Sequence, residues 1–582
     1  MNSKYFTLLK EWCDALLTLQ LDMPLKELSG GIICPACHMI HGRCADAIYP
    51  LLSVAEVTGE QKYIRAAQKL FNWTENNMSC ENGAVKNDMQ LPWQGITVFY
   101  ATTLAEALLY HGHLLDAAIK ERWAARLEKA LSFLIPFIDT INTAINYRAA
   151  MCGLLALAAK LFQKEVYRKQ AKFYADTMYP FLDQSGLLFG EAKQKVPVSA
   201  KGCLPVDIGY NVEESLPSLI LYAKECNDQK MQQILNKVLE THLDFALPDG
   251  GWDNSFGIRS IKWTYWGSRT SDGCQTAFPD MADMNPRLGE MAERNFELYR
   301  RCTQNGLLYG GPMYCTANEP PCVHHTFCHA KAIAHLVDTN FTPPQSVALP
   351  FDSGNKIKYY PLMQVYLLRR GGFRATISAN DAYHGANDYS SGGALTLLWH
   401  DSTGPIFAAS APDYRLTEPT NMQILRNNCC LCQTPRLEYT ENNITYTNIR
   451  DKNAVINQED PFTFTARGQF TDKENNVSCG YTITYHFEEN DLTITCTAEK
   501  DCALWLPLIA SSKETVLPDS TTVTVKKAQA TISVSAPEFC LKPAELRTFN
   551  PIGGFQTYPA VIRIPKDLTC RITLTVTPFI NI

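Results

Sequence analysis

Residues 330–368 read AKAIAHLVDTNFTPPQSVALPFDSGNKIKYYPLMQVYLL. The apolar run Ala330–Leu336 closes a long region of helical texture, and Thr342-Pro343-Pro344 stops it, because proline cannot continue a helix and restricts the residue before it. From Lys356 onward apolar and polar residues alternate, the period of a strand with one buried face. This break predicts a multidomain α+β chain: a helical catalytic domain over 1–340, a linker over 341–355 and a β-sandwich over 356–582.

Working back from the break, helical spacing recurs. Arg43 to Val57 carries Ala47, Ile48, Leu51, Leu52 and Ala55, then Thr58-Gly59-Glu60 interrupts, and Tyr63 to Trp73 starts again. Ala55 precedes Tyr63, Ala159 precedes Tyr167 and Ala223 precedes Met231 by eight residues, each pair across a polar break; Ala107 stands before the His111-Gly112 break. The steps of 52, 52 and 64 residues suit repeated helical hairpins. Long insertions at 180–208 and 246–285 favour an (α/α) toroid or barrel with a decorated mouth over an open solenoid. Working forward, strand-like runs cover Tyr359–Leu368, Ala375–Ser378, Ala394–Trp399, Thr482–Phe487, Leu492–Cys496, Thr521–Val525, Ile562–Ile564 and Cys570–Val576. Short strands at such intervals predict a C-terminal antiparallel β-sandwich.

The 582 residues are 46% hydrophobic and 19% charged, which excludes a mostly disordered chain. Fifty-nine acids against 53 bases give a net charge of −6, which argues against a basic nucleic-acid surface. No run approaches the roughly 20 apolar residues of a membrane span, and Met1–Gln20 carries no apolar h-region. A cytoplasmic location is expected, or a periplasmic one if a signal has been removed. An odd count of 21 cysteines in a long chain reads as free thiols.

Chemistry concentrates in four segments. Residues 248–273, PDGGWDNSFGIRSIKWTYWGSRTSDG, hold three of the nine tryptophans, Trp252, Trp263 and Trp266, with Asp249, Asp253, Arg259, Lys262, Tyr265, Arg269 and Asp272. Indoles stack on sugar C–H faces, and Arg, Lys and Asp serve hydroxyls and carboxylates. A large loop clamped by buried tryptophans is the alternative. Residues 207–217, DIGYNVEESLP, offer Tyr210, Asn211, Glu213 and Glu214 at a helix start, where two adjacent carboxylates point about 100° apart, so at most one faces a given pocket. Cys34-Pro-Ala-Cys37, with His38, His41 and Cys44 nearby, has the spacing of a metal knuckle, which makes Cys34, Cys37 and Cys44 candidate ligands of a structural zinc. The competing reading puts His41 and Arg43 at the barrel mouth, facing substrate. CVHHTFCH, residues 322–329, offers His324 and His325 as charge neutralisers, proton carriers or ligands. Asp88 and Trp93 repeat the theme of polar groups at a helix mouth. Walker, GxSxG, Rossmann and HExxH signatures are missing, so phosphoryl transfer, serine hydrolysis and dinucleotide chemistry lack their marks.

The order of textures, Leu367 through Arg369, Arg370 and Gly371 to Ser378, His384-Gly-Ala-Asn-Asp388 and Gly392-Gly393-Ala-Leu resemble the heparinase II/III-like superfamily of uronic-acid polysaccharide lyases. The resemblance implies a toroid followed by a sandwich with substrate between them. It also implies a structural metal at a His-x-His-x-Asp-like stretch, where this chain has Ala386 at the second His. Tyr265 and Arg269 match a Tyr-x-x-x-Arg pattern of such lyases, with Asn211, Asn254, His324 and His325 as available partners. The helical part is also similar to barrels of glucuronyl hydrolases.

Three functions follow. The first is β-elimination on an acidic, uronic-acid-containing oligo- or polysaccharide, exo-acting and needing no cofactor. In it Arg269, His324 or Asn211 neutralises the substrate carboxylate. Tyr265 takes the C5 proton, its pKa depressed by Lys262, Arg269 or Arg259. The second is β-glucuronidase-like hydrolysis by two carboxylates from Asp253, Asp272, Glu213, Glu214 and Asp88. The third is a glycan-binding protein without catalysis. His41, Arg43, Asp88, Trp93, Tyr210, Trp252, Arg259, Lys262 and Trp266 are the expected substrate contacts. Homo-oligomer formation stays open.

Overall fold

Among the described residues, thirteen helices precede the first long sheet. They are α1 (Lys4–Leu19), α2 (Ile48–Thr58), α3 (Gln61–Asn77), α4 (Thr97–His111), α5 (Ala117–Thr140), α6 (Asn146–Phe162), α7 (Glu165–Asp176), the single turn α8 (Ile208–Tyr210), α9 (Leu216–Glu225), α10 (Gln229–His242), the short α11 (Ala277–Asp280), α12 (Pro286–Cys302) and α13 (Val323–Asp338). The computed structural model describes residues 3–23, 27–89, 91–141, 144–182, 185–191, 198–259, 263–264, 267–268, 276–318, 320–382, 390–410, 432–546 and 553–579.

The eight-residue pairs fall on helical hairpins. Ala55 and Tyr63 lie on α2 and α3, Ala159 and Tyr167 on α6 and α7, Ala223 and Met231 on α9 and α10, and Ala107 on α4 ahead of α5. The α2–α3 break is set by Gly59, whose left-handed φ of +71° suits a residue without Cβ and lets its N–H bond to Ala55 O. Sequence character sorts the helices into two layers. Twelve of the 17 residues of α6 are buried, whereas α7 buries only Ala171, Tyr174 and Ala175. The apolar helices pack in succession, α13 on α2, α2 on α4, α4 on α6 and α6 on α9, while α1 packs on α13. Asp280 at the end of α11 takes His335 Nε2 of α13 at 3.1 Å and Lys224 Nζ of α9 at 2.9 Å. These helices surround a cavity lined by Glu106, Glu213, Glu214, Asp280, Lys331 and His335. Among the described residues no helix is long and apolar enough to cross a membrane.

The C-terminal region is antiparallel throughout. Five strands, Lys356–Tyr360, Val365–Arg370, Phe373–Ser378, Ala394–His400 and Gly404–Ala408, pair in chain order. The expected single run Tyr359–Leu368 is two strands: Pro361 has no N–H for a ladder, and the chain turns so that Tyr360 pairs with Val365. A second, larger sheet contains the meander Thr463–Thr471, Val477–Phe487 and Asp491–Ala498, and Cys570–Pro578 returns to its last strand. Leu492 lies opposite Phe487 on one side and Leu574 on the other. Along Asp491–Ala498 every second residue is buried, as alternation requires. Phe373, Leu398 and Phe407 of the first sheet share a core with Phe464, Ile483 and Ile572 of the second.

Polar contacts fix the two regions to each other. The Thr376 hydroxyl donates to Asp253, Ser255 Oγ meets Thr396 Oγ1 at 2.9 Å, and Arg374 donates to Ala246 O at 3.2 Å. Asp352, ahead of the first strand, receives Arg294 of α12 at 2.9 and 2.7 Å and Arg374 of the sheet at 3.1 Å.

Candidate active site

Two of the chemically dense segments are zipped together. Ile258 N–H bonds to Val206 O at 3.0 Å, and Ile208 N–H bonds to Asn254 Oδ1 at 2.8 Å. Asp207 joins them at both ends: one oxygen accepts from Tyr210 N and the other from Arg259 N, each at 3.0 Å. The result sets the Arg259 guanidinium 4.5 Å from the centre of the Tyr210 ring. Its Nη1 lies 3.5 Å from the fully buried carboxylate of Glu191. Gly267–Ser268, half of a two-strand ladder with Trp263–Thr264, packs on the Tyr210 turn.

Tyr147, at the start of α6, is the next member and feels both Glu214 and Arg259; burial is the main reason its hydroxyl is pushed up to about 12. It accepts the indole N–H of Trp93 at 2.9 Å and packs against Phe99 at 5.7 Å between ring centres. The Arg43 guanidinium covers Phe99 at 4.7 Å and is held by Asp46 through Nε at 3.0 Å and Nη2 at 2.6 Å. Arg43, Phe99, Tyr147 and Trp93 thus form a ladder from the interior to an indole that is 39% exposed. Asn146 donates to Glu214 beside it. Glu213 and Glu214 line the same cavity, against the expectation that at most one would. The reason is local: Asn211–Ser215 is a π-helical turn, whose i→i+5 closure places neighbours less than 100° apart.

Several expected contacts are buried. Trp252 is wholly buried, tilted on Phe278 at 5.2 Å, and its carbonyl accepts the Trp263 indole N–H. Asp253 is buried against Thr376 and Ser255 at the interface between the two regions, so it is no exposed acid. Asn211 is fully buried, with its amide directed to Leu188 O at 2.8 Å and His242 at 3.1 Å. His324 and His325 are 1% exposed; His324 stands 3.6 Å from Cys328 Sγ, and His325 O accepts from His329. Asp88 is buried 3.8 Å from His41. His41 is buried too, with its Nε2 3.4 Å from Cys37 Sγ and 3.6 Å from Cys322 Sγ. Cys34 belongs to the same group, and Cys44 does not; Cys322 hydrogen-bonds with Cys34. Tyr265, Trp266, Lys262, Arg269 and Asp272 lie outside the described residues, as do His384, Ala386 and Asp388 of the sandwich.

Glu191, Tyr147, Asp207 and Cys322 escaped sequence reasoning. Glu191 and Tyr147 belong to no motif, but Asp207 opens the segment read for Tyr210, and Cys322 opens the one read for its histidines.

Residues 9–350 match the ulvan lyase N-terminal domain and 357–577 the ulvan lyase C-terminal domain. The chain is 39% identical to the broad-specificity ulvan lyase of Formosa agariphila over 578 residues, 95% of this chain and 90% of that protein. It belongs to the ulvan lyase family and is a polysaccharide lyase acting on uronic-acid-containing polysaccharide. Its fold is similar to heparinase III (TM-score 0.60, 13% identity, 99% of this chain and 85% of that one). The chondroitin AC lyase of Streptomyces coelicolor A3 is similar too (0.59, 12%, 99% and 80%). Membership in a lyase family replaces both the paired-carboxylate hydrolase and the non-catalytic reading.

Proposed function

We propose that this lyase degrades ulvan-type polysaccharide by β-elimination from a chain end, in a cleft at the mouth of an (α/α) toroid. The observation that supports the site most directly is Arg259, a cation 4.5 Å from the centre of the Tyr210 ring and paired with buried Glu191. A C5 proton of a uronate is removable only when the adjacent carboxylate is neutralised, and a fixed guanidinium does this without reorganising. Arg259 takes that role alongside the expected Arg269, which lies outside the described residues; Asn211 and His324 are buried. Tyr265 removes the C5 proton. The electron pair forms the C4–C5 double bond, the C4 oxygen leaves, and it takes a proton back from Tyr265. Trp93 offers its open face to a sugar ring. Free thiols suit a reducing, cytoplasmic setting and short oligosaccharides cut from one end.

The test pairs ultraviolet absorbance, which reports the new double bond, with reducing-end release on ulvan and on glucuronic- and galacturonic-acid oligosaccharides. Both signals rise together on ulvan, and small products of one size accumulate from the start. Tyr265→Phe abolishes both signals while substrate still binds. Reducing ends without absorbance would overturn elimination, and a ladder of intermediate sizes would overturn exo action.

A further inference from the structure

Three thiols and one imidazole converge behind the Trp93 loop. Cys34 and Cys37 occupy a tight turn in which Cys34 N bonds to Met39 O and His38 N bonds back to Cys34 O, with His38 in the left-handed region at φ +59°. The Sγ atoms of both and a ring nitrogen of His41 all lie within 4.8 Å of one another. Cys322, immediately before α13, brings its Sγ to 3.6 Å from His41 Nε2 and hydrogen-bonds with Cys34. Cys34, His41 and Cys322 are buried.

The spacing is informative. A neutral imidazole nitrogen has one lone pair and accepts one hydrogen, yet two sulfurs approach Nε2, at 3.4 and 3.6 Å. A tetrahedral zinc with Zn–N of about 2.05 Å and Zn–S of about 2.3 Å puts the nitrogen about 3.6 Å from each sulfur. One central ion therefore explains both separations. The other ring nitrogen, Nδ1, faces Asp88 Oδ2 at 3.8 Å, the side on which a ligating histidine is commonly oriented by a carboxylate.

We propose that Cys34, Cys37, His41 and Cys322 bind one structural zinc ion. Binding releases the three thiol protons to solvent and leaves three thiolates and a neutral imidazole on the metal. Four protein ligands fill the coordination shell, so no position is open for substrate or water and the role is a clasp. It fastens the loop before α2 to the start of α13, joining the two ends of the helical domain. It also reaches the substrate side, because Asp88 begins the loop that Asn87 N closes on Trp93 O at 2.8 Å.

The experiment uses the full chain purified without chelator. Expected are one zinc per chain and, after exchange with cobalt, the intense thiolate-to-cobalt charge-transfer absorption. Cys322→Ser and Cys37→Ser lose both, while Cys44→Ala keeps both. Because the sandwich stretch His384–Asp388 holds no cysteine, a metal there gives no such band. The proposal is overturned if the cobalt-loaded wild type lacks the band, a result that needs no variant to fold. It is equally overturned if Cys322→Ser and Cys37→Ser keep both signals, or if intact mass shows a disulfide among Cys34, Cys37 and Cys322.

Discussion

The indole N–H of Trp93 donates to the Tyr147 hydroxyl across 2.9 Å, with the two rings near perpendicular at 78°. An otherwise mobile surface indole is thereby held in one orientation with a face open to solvent. Trp93→Ala should raise KM about tenfold, near 1.4 kcal/mol, with kcat largely kept, because stacking acts on substrate and transition state alike. Tyr147→Phe, which removes only the acceptor, should raise KM less. Initial rates from the absorbance signal check this, and a fall in kcat at constant KM would contradict it.

Arg259 is placed by Asp207, Tyr210 and Glu191 together. Arg259→Ala should lower kcat/KM by about a hundredfold or more, the scale of a lost transition-state donor. Arg259→Lys should recover little, since a point charge cannot lie flat on the Tyr210 ring. Full recovery by lysine would mean that charge alone suffices.

Asp352 is shared by two arginines from different regions, Arg294 and Arg374. Burial, with Arg369 nearby, pulls Arg374 down to about 10, and Asp352 opposes that pull. Asp352→Ala would leave Arg374 buried without its carboxylate, at a cost of about 3 kcal/mol. A thermal midpoint lowered by several degrees is expected, and an unchanged midpoint would show that the regions do not rely on this contact.

The Asp280 cluster gives a pH signature. Burial pushes the Asp280 carboxyl up, but His335 and Lys224 more than offset it and hold it at about 2. An unfolded aspartate titrates near 3.9, so this stabilisation is present above about pH 4 and lost as pH falls towards 2. Burial pulls His335 down and Asp280 carries it above its usual 6.5, so its share is full below about 6.5 and lost as pH rises through the raised value. Thermal midpoints of wild type and Asp280→Asn should differ most between about pH 4 and 6.5 and converge as pH falls towards 2. A gap constant down to pH 2 would exclude this pair as its source.

Much of the fold was legible locally. Buried helices, amphipathic helices and half-buried strands have different apolar periods, so the change of texture at Thr342-Pro343-Pro344, the hairpins around Ala55, Ala159 and Ala223, and strands such as Ala394–His400 and Asp491–Ala498 show in the chain itself, whereas Thr463–Thr471 and Cys502–Ala510 were not read from it. Pro361, splitting one expected strand into two, was visible but outweighed by the alternation around it.

The site was legible only as a set of candidates. The sequence by itself determined that Arg259, Tyr210, Trp93, Cys34 and Cys37 sit in segments rich in chemistry. Only the tertiary structure decided that Glu191 backs Arg259, that Tyr147 holds Trp93, and that Cys322 rather than Cys44 joins His41. It also decided that Trp252 and Asp253, which read like Trp93 and Arg259, face inward. The physical reason is that periodicity is a property of near neighbours. A loop side chain takes its direction from elements it meets far along the chain, as Asp253 does on Thr376 and His41 does on Cys322.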